Sequence, residues 1–550
     1  MSRLSARATV AVFLLATSSL AAEDTPAPAL PPAVSSPNPA AEPTNAATPN
    51  PAVASQPPPP ALSLPAVSLS NPSNGPALSL SNGPPLTLDE CVAQALEKNF
   101  NVRIQKYSTE QAKDSVIIAK AEYDPNLTAA GTRSFNQAAA SGSALDGSKT
   151  GLRTNTTNAT LGLSQKIPTG ATATLDTELN KNATNSTFST INPAYTGNVS
   201  LFVTQPILKN AGFDDNLAAI RRAKLGVQIA DLNFKSTVLT VIFNVETAYY
   251  NLIFAREQYK VQEDSLRLAQ ELYDENVVKR QTGVLTDLDV LQAQVGVATA
   301  RSQLILDEQT VHNDEDILLQ SLSQRDFSGQ VGPVDFPPME NDPDVSFDLS
   351  YKLARDNGPN LAIIQTTIEQ FKLDALTSKR NALPEFDVNG GVGLNSLGHS
   401  YNAAVDQVPN DNGHSWQAGV TLTFPLGLRA NRALYHQALA SQHSEETSLE
   451  QEDENLTVQV RSAVRAVQTG IESVRASTET ATLSEKQYEL EKAKFDAGLV
   501  TSLDVLQEQN ALLAARVAEL QAKVNLRTAI ANLHFLEGSS LQLYHVNLVE

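Results

Sequence analysis

Residues Gly283 to Gln294 return as Gly498 to Gln509, 215 positions later and without a gap. In both copies a long heptad-bearing segment ends at a glycine, a short link follows, and Thr-x-x-Asp opens a second apolar-periodic segment. Gly283 and Gly498 suit the left-handed position just past a helix C-terminus, where other residues carry a Cβ penalty. Thr286 and Thr501 are N-cap residues, and Asp289 and Asp504, three residues on, can close capping boxes and favour the positive end of the helix dipole. Each copy reads as the tip of a helical hairpin, so the fold must contain two equivalent hairpins.

The flanks extend the repeat. Ahead of the first tip, a helix expected over about 214–281 carries Val245, Leu252, Tyr259, Leu266 and Tyr273 in steps of seven; beyond it Val290, Val297, Leu304, Val311 and Leu318 carry the same step back. Ahead of the second, a helix expected over about 430–497 carries Val460, Val467, Val474, Ala481, Tyr488 and Phe495, and a shift of 215 lays the two frames on each other, with Arg280 standing where Phe495 does. A strict seven-residue step implies left-handed supercoiling against neighbouring helices. Tyr273, Tyr488 and Phe495 read as packing residues before gating ones, and Lys279 and Arg280 as a solvated face before links to neighbouring carboxylates.

Each unit opens alike. Thr87-Leu88-Asp89-Glu90 is a capping box ahead of a short helix that Asn99 breaks, and a second helix over about 102–122 stops at Pro125; Phe347 to Asn357 and Leu361 to Lys379 match them. Between these and the long helices lie stretches of weak two-residue alternation rich in Thr, Asn, Ser and Gly, over 126–204 and again near 386–395 and 416–424. Strands with one polar face suit a membrane barrel with a wet interior. Stretches 138–158 and 402–414 read as extracellular loops. A helix of about 68 residues spans about 100 Å; its returning partner of about 37 matches it only if a short helix stacks above, with segment 324–345 lying outside at the join.

Composition narrows the class. Residues 1–22 carry Arg3, Arg7 and an apolar run before Ala21 and Ala22, the pattern of a signal peptide, and no later stretch approaches the roughly 18 consecutive apolar residues of a spanning helix. Residues 23–85 hold 18 of the 30 prolines and read as an extended linker, either a spacer or a docking arm. A net charge of −20 argues against a nucleic-acid partner. The single cysteine, Cys91, forms no internal disulfide, and the seven histidines are scattered. No metal-ligand spacing, phosphate-binding glycine loop or nucleophile elbow is present, so no catalytic residue, metal or cofactor is expected.

With the Leu-Thr-Leu-x-Glu opening at Leu86, the strand-to-helix transitions Gln205-Pro206-Ile207-Leu208 and Phe424-Pro425-Leu426, and the two Gly-to-Asp-Val-Leu-Gln tips, the chain resembles the TolC family of outer-membrane efflux and secretion ducts over roughly residues 86–537. The resemblance implies an α+β membrane protein: a homotrimer whose strands share one transmembrane β-barrel in outer-membrane lipid, continuous with a periplasmic helical barrel. It divides the chain into a first repeat at 86–323, a connecting segment at 324–345, a second repeat at 346–537 and a tail at 538–550. By family analogy the tips meet a periplasmic adaptor protein and an inner-membrane pump, in a tripartite efflux or type I secretion system. The family usually contributes four strands per chain, whereas 126–204 looks able to supply more than two by itself.

In such a trimer Asp289 and Asp504, with Asp287 weighted lower because Ser502 replaces it in the second copy, would form carboxylate rings at a narrow periplasmic gate, raising one another's pKa and attracting cations; capping is the competing role. In the best-known members a second acidic residue lies three positions beyond the aspartate of the second tip, where this chain has Gln507. Gly283, Val284, Leu285 and Gly498, Leu499, Val500 leave apolar residues at turns, which suits an adaptor-docking surface or trimer packing. The competing classes are an exported coiled-coil adhesin with a β head and a plain porin.

Overall fold

Thr87 begins the described chain's first helix: its hydroxyl accepts from the Glu90 backbone N–H while the Glu90 carboxylate accepts from that of Thr87. The computed structural model describes residues 86–139, 151–323, 331, 332, 334, 336, 345–410, 413–424 and 426–546, all in a unit spanning Pro76–Glu550. The expected signal peptide at 1–22 and linker at 23–85 lie outside the described residues. Helix α1 (Leu88–Lys98) buries Leu88, Cys91, Val92 and Ala95. Asn99 ends it and starts α2 (Phe100–Ala121), accepting from the Asn101 N–H at 2.8 Å and donating to the Ser321 carbonyl at 2.9 Å.

Four strands follow, β1 (Asn126–Gln137), β2 (Arg153–Lys166), β3 (Thr172–Thr184) and β4 (Ala194–Pro206). The long helix expected from Asp214 is interrupted: a turn, α3 (Phe213–Asn216), precedes α4 (Ala218–Gln281), and Leu217 between them leaves helical geometry, with φ −89° and ψ 3°. The first hairpin closes with α5 (Asp287–Ser321). The second unit runs α6 (Phe347–Asn357), α7 (Pro359–Asn381), β5 (Glu385–Gly398), α8 (Tyr401–Gln407), β6 (His414–Thr423), α9 (Arg429–Asp496), α10 (Ser502–Glu537) and a short α11 (Ser540–Leu543). Two expected loops are corrected here. Residues 153–158 extend β2, where period-two alternation continues, and Tyr401–Gln407 is helical because Ser400 accepts from the Ala403 N–H.

The strands form one antiparallel sheet in sequence order, and β4 pairs with β5, so the sheet joins the two units. Among the described residues this chain supplies six strands, four from the first unit and two from the second.

In the helical layer α4 and α5 pack as one hairpin and α9 and α10 as the other. Helices α7 and α10 both pack between α4 and α9, while α2 lies along α4 alone. Helix α5, at 35 residues, and α2, at 22, together nearly match the 64 of α4; α10 (36) and α7 (23) do the same for α9 (68). One 18-residue window of α4 is apolar enough to cross a membrane by composition, but 67% of it is buried in the fold, as befits the helix with most neighbours.

The connecting segment is not simply external. Val331 is buried, and Arg256 on α4 donates to the carbonyls of Gly332 (2.7 Å) and Val331 (2.8 Å) and pairs with Glu315 on α5 (2.6 Å). The tail folds back as well: the Tyr544 hydroxyl donates to Glu246 at 2.5 Å. Glu246 is buried, and that burial pushes its carboxyl up to about 7.

The heptad expectation holds unequally. Along α9 Val460, Val467, Ala481, Tyr488 and Phe495 are buried and Val474 half-buried. Along α4 Val245, Leu252 and Tyr259 are buried, but Leu266 and Tyr273 only half, because below Tyr259 the stripe facing α5 slips by three to Gln262, Ala269 and Asn276. Its counterpart on α5 is Ala293, Ala300 and Asp307, ahead of the expected Val311 and Leu318. Gln262 donates to the Ala300 carbonyl at 3.1 Å and Gln258 to Asp307 at 2.9 Å, so this seam is small and polar. Leu268 and Leu272 pack instead with Tyr488, Val505 and Leu512 of the second hairpin.

Candidate functional site

Two places concentrate features that a soluble packed domain would not need: the hairpin tips and the faces of the sheet.

The tips are built twice from the same hydrogen bonds. Gly283 has φ +78° and Gly498 +73°. The Val284 N–H reaches the Lys279 carbonyl at 2.9 Å and the Gly283 N–H that of Arg280 at 2.9 Å; Leu499 and Gly498 repeat this on Lys494 (2.9 Å) and Phe495 (3.0 Å). This double bond pattern is the Schellman closure of a helix end. The next helix starts at once, with Asp289 accepting from the Thr286 N–H (2.9 Å) and hydroxyl (2.6 Å), and Asp504 from those of Thr501 (2.9 and 2.7 Å).

The electrostatics of the single chain run opposite to the expected mutual raising. The Thr286 hydroxyl and then its backbone N–H hold the Asp289 carboxyl below the usual carboxylate range, and Thr501 does the same for Asp504. Asp287 instead forms an ion pair with Arg280.

The two tips are tied together. Tyr488, Phe495, Val505 and Leu512 form a small core with Leu272, and Leu285 and Val500 pack against it. Lys279 crosses between hairpins: its ammonium lies 3.7 Å from the Phe495 ring centroid, donates to the Phe495 carbonyl at 3.3 Å and pairs with Glu275 (2.8 Å) and Asp496 (3.7 Å). Of the apolar turn residues, Leu285 and Val500 therefore sit partly inside, while Val284 is 68% and Leu499 75% exposed. Sequence reasoning missed Lys279 as the cross-link. No local signal marks it: the shift of 215 makes Phe495 and Arg280 equivalent positions in the two repeats and does not say which side chains meet across the hairpins.

Directly paired strand residues share a face. Across the sheet Leu127, Leu163, Leu175, Leu201, Val392 and Trp416 pair in one unbroken row. One residue along, Thr128, Gly162, Asp176, Ser200, Gly393 and Ser415 form a row on the opposite face. The apolar row is solvent-exposed throughout, Trp416 by 77%, and Phe135, Leu161, Val203, Val388, Leu394, Val420 and Leu422 extend it on the same face. The polar face carries Asp176, Glu178, Glu385 and Asp387 against Lys166. Every residue of β1 and of β6 is exposed, so both edges of the sheet are open.

A sheet with one apolar and one polar exposed face, set on long paired helices, defines the class of outer-membrane duct proteins. The outer membrane efflux protein family model matches residues 171–324 and 350–539, more than half of the chain, and the chain belongs to that family. It is 20% identical over 311 residues to the outer membrane protein TolC of Escherichia coli, covering 54% of this chain and 61% of TolC, and so spans under two thirds of that relative. It is 22% identical over 365 residues to the alkaline protease secretion protein AprF of Pseudomonas aeruginosa, covering 64% of this chain and 72% of AprF. The fold is similar to the crystal structure of the Campylobacter jejuni CmeC outer membrane channel, with a TM-score of 0.63 and 16% identity over 84% of this chain and 90% of that one.

Proposed function

We propose that this chain is one subunit of a trimeric outer-membrane exit duct serving a tripartite efflux pump or a type I secretion system. The observation that carries this reading is the leucine-to-tryptophan row across all six strands, an exposed apolar face that only lipid or a partner can cover, backed by a face of Thr, Asn, Ser and Asp that suits water. In the assembled duct the strands close a barrel in outer-membrane lipid, and the hairpins enclose the periplasmic part of the lumen. The duct is passive; the pump it joins drives transport. Names of relatives point the same way, since AprF is called a secretion protein and the family an efflux family.

The tips have two roles in this reading. Val284 and Leu499, exposed beside the packed Leu285 and Val500, form the surface that an adaptor grips, on turns held rigid by Gly283 and Gly498. Asp289 and Asp504 act first as helix caps, and Asp287 with Arg280 forms a lateral ion pair that three-fold assembly would bring near the lumen. The adhesin alternative leaves the apolar row uncovered.

Reconstitution tests the reading: protein extracted from outer membranes is added to planar lipid bilayers. Stepwise conductance is expected, and a protein that stays in the soluble fraction without inserting contradicts it.

A further inference from the structure

The sheet ends are staggered, and the stagger fixes how one copy meets the next. From Asn126, at the helix-proximal end of β1, pairing runs straight across the strands through Ser164, Thr174, Phe202 and Gly391 to Gln417. Gln417 lies six residues short of Thr423, the helix-proximal end of β6. The recession grows steadily: two residues at β2 (Lys166) and β3 (Thr172), four at β4 (Pro206), six at β5 (Glu385) and β6. Strand ends that recede steadily along the pairing direction are what tilted strands of a barrel show.

Both edges are open, and because the sheet is a six-stranded antiparallel meander, β1 and β6 run in opposite directions. The β1 of one copy can therefore pair antiparallel with the β6 of the next, a head-to-tail contact that closes on itself. The helical layer ends on the same two sides. On the flank of β1, α2 and α5 leave Ile104, Ile118, Leu291 and Val295 exposed; on the flank of β6, α9 leaves Val458 and Leu490 exposed.

Resting on the duct reading above, we propose that β1 pairs with β6 of a second copy of this chain, Asn126 opposite Thr423, so that all six strands enter the barrel and three copies build an 18-stranded one. The register follows from three constraints. Asn126 and Thr423 lie on the polar face, so slips that keep polar against polar are even. The flush register shears the sheet six residues per six strands, a tilt of about 35° from the 3.3 Å rise and 4.8 Å spacing, inside the range of real barrels. A slip of two inward lowers the tilt to about 25°, outside that range, and a slip of two outward carries Asn126 past Thr423, where β6 ends, and leaves it without a strand partner. A barrel of this count and tilt measures about 34 Å between opposite strand backbones. The family match begins at Ala171, beyond β1 and β2, so these two strands lie outside the pattern the family model shares.

Paired cysteines test the seam in the full-length protein. Cys91 is fully buried, with its thiol pushed up to about 12 by that burial, and stays silent. Asn126→Cys with Thr423→Cys brings two Cα atoms within disulfide range across an antiparallel pair, so mild oxidation in outer membranes is expected to give covalent dimers and trimers on denaturing gels. Each single variant should remain monomeric there. Linkage by Asn126→Cys with Thr421→Cys in place of Thr423→Cys overturns the register. Single-particle images of the unmodified protein give the second readout: 18 strands support the proposal, whereas a trimeric barrel of 12 with β1 and β2 outside overturns it and leaves the duct standing. A protein that forms no ring in the membrane overturns the duct reading itself.

Discussion

Lys279 is the residue through which one hairpin tip holds the other. Its ammonium meets the Phe495 ring, the Phe495 carbonyl, Glu275 and Asp496 at once. Lys279→Met, which keeps the stem and removes the charge, should loosen the two tips by about 1 kcal/mol, read as faster amide exchange at 282–286 and 497–501 and more frequent channel opening. Asp289 and Asp504 follow a different sign. Their carboxyls are held below the usual range by threonine donors, so capping is present above their ordinary value and is lost as pH falls through the lowered one. Conductance measured from neutral pH down to about 3 should rise steeply only at the acid end, and Asp289→Asn with Asp504→Asn should remove that rise. A rise centred near neutral pH would instead indicate carboxylates raised by their neighbours in the trimer.

At the scale of elements, the hub where α1, α4, α5 and the tail meet is set by buried polar groups. Arg256→Leu takes the donor from two carbonyls and leaves Glu315 with His312 alone; it should cost about 3 kcal/mol and lower the temperature at which the purified protein unfolds. Glu246 has its folded value raised to about 7 against an ordinary 4.5, so its contribution to tail docking is full below about 4.5 and is lost as pH rises through 7. Amide protection in 540–546, taken relative to the intrinsic exchange rate at each pH, should therefore be higher at pH 5 than at pH 8, and Glu246→Gln should flatten the difference. On β3, Asp176 and Glu178 bias the polar face toward cations. Their replacement by Asn and Gln should lower the cation preference seen as a reversal potential in a salt gradient.

Much of this was legible in the residues. Both tips, their capping boxes, α6 to the residue, and the stacking of short helices above returning ones follow from glycines, Thr-x-x-Asp pairs and length, all local signals. What escaped depends on contacts distant in sequence. The slip of the α4 stripe to Gln262 and Asn276 is decided by α10 claiming the leucine face, which no periodicity within α4 records. Leu285 and Val500 look free on a turn until Phe495 and Val505 come beneath them. The number of strands was open because Thr- and Asn-rich alternation is weak per strand; pairing across the whole sheet supplies the leucine row that one strand cannot display.

For the whole molecule, the apolar row, the open edges β1 and β6 and the exposed flanks of α2, α5 and α9 belong to one requirement: a single copy cannot satisfy its own surface in water. The proposed three-fold assembly would satisfy all three together, and the helices of 64 and 68 residues would then carry its lumen about 100 Å from the membrane. Single-particle imaging of the protein in lipid nanodiscs tests this most directly. The account predicts three copies around a continuous water-filled bore, from a lipid-embedded barrel through a helical tube of about 100 Å to two constricted tips per copy. A solid helical rod, or single copies lying outside the bilayer, would contradict it.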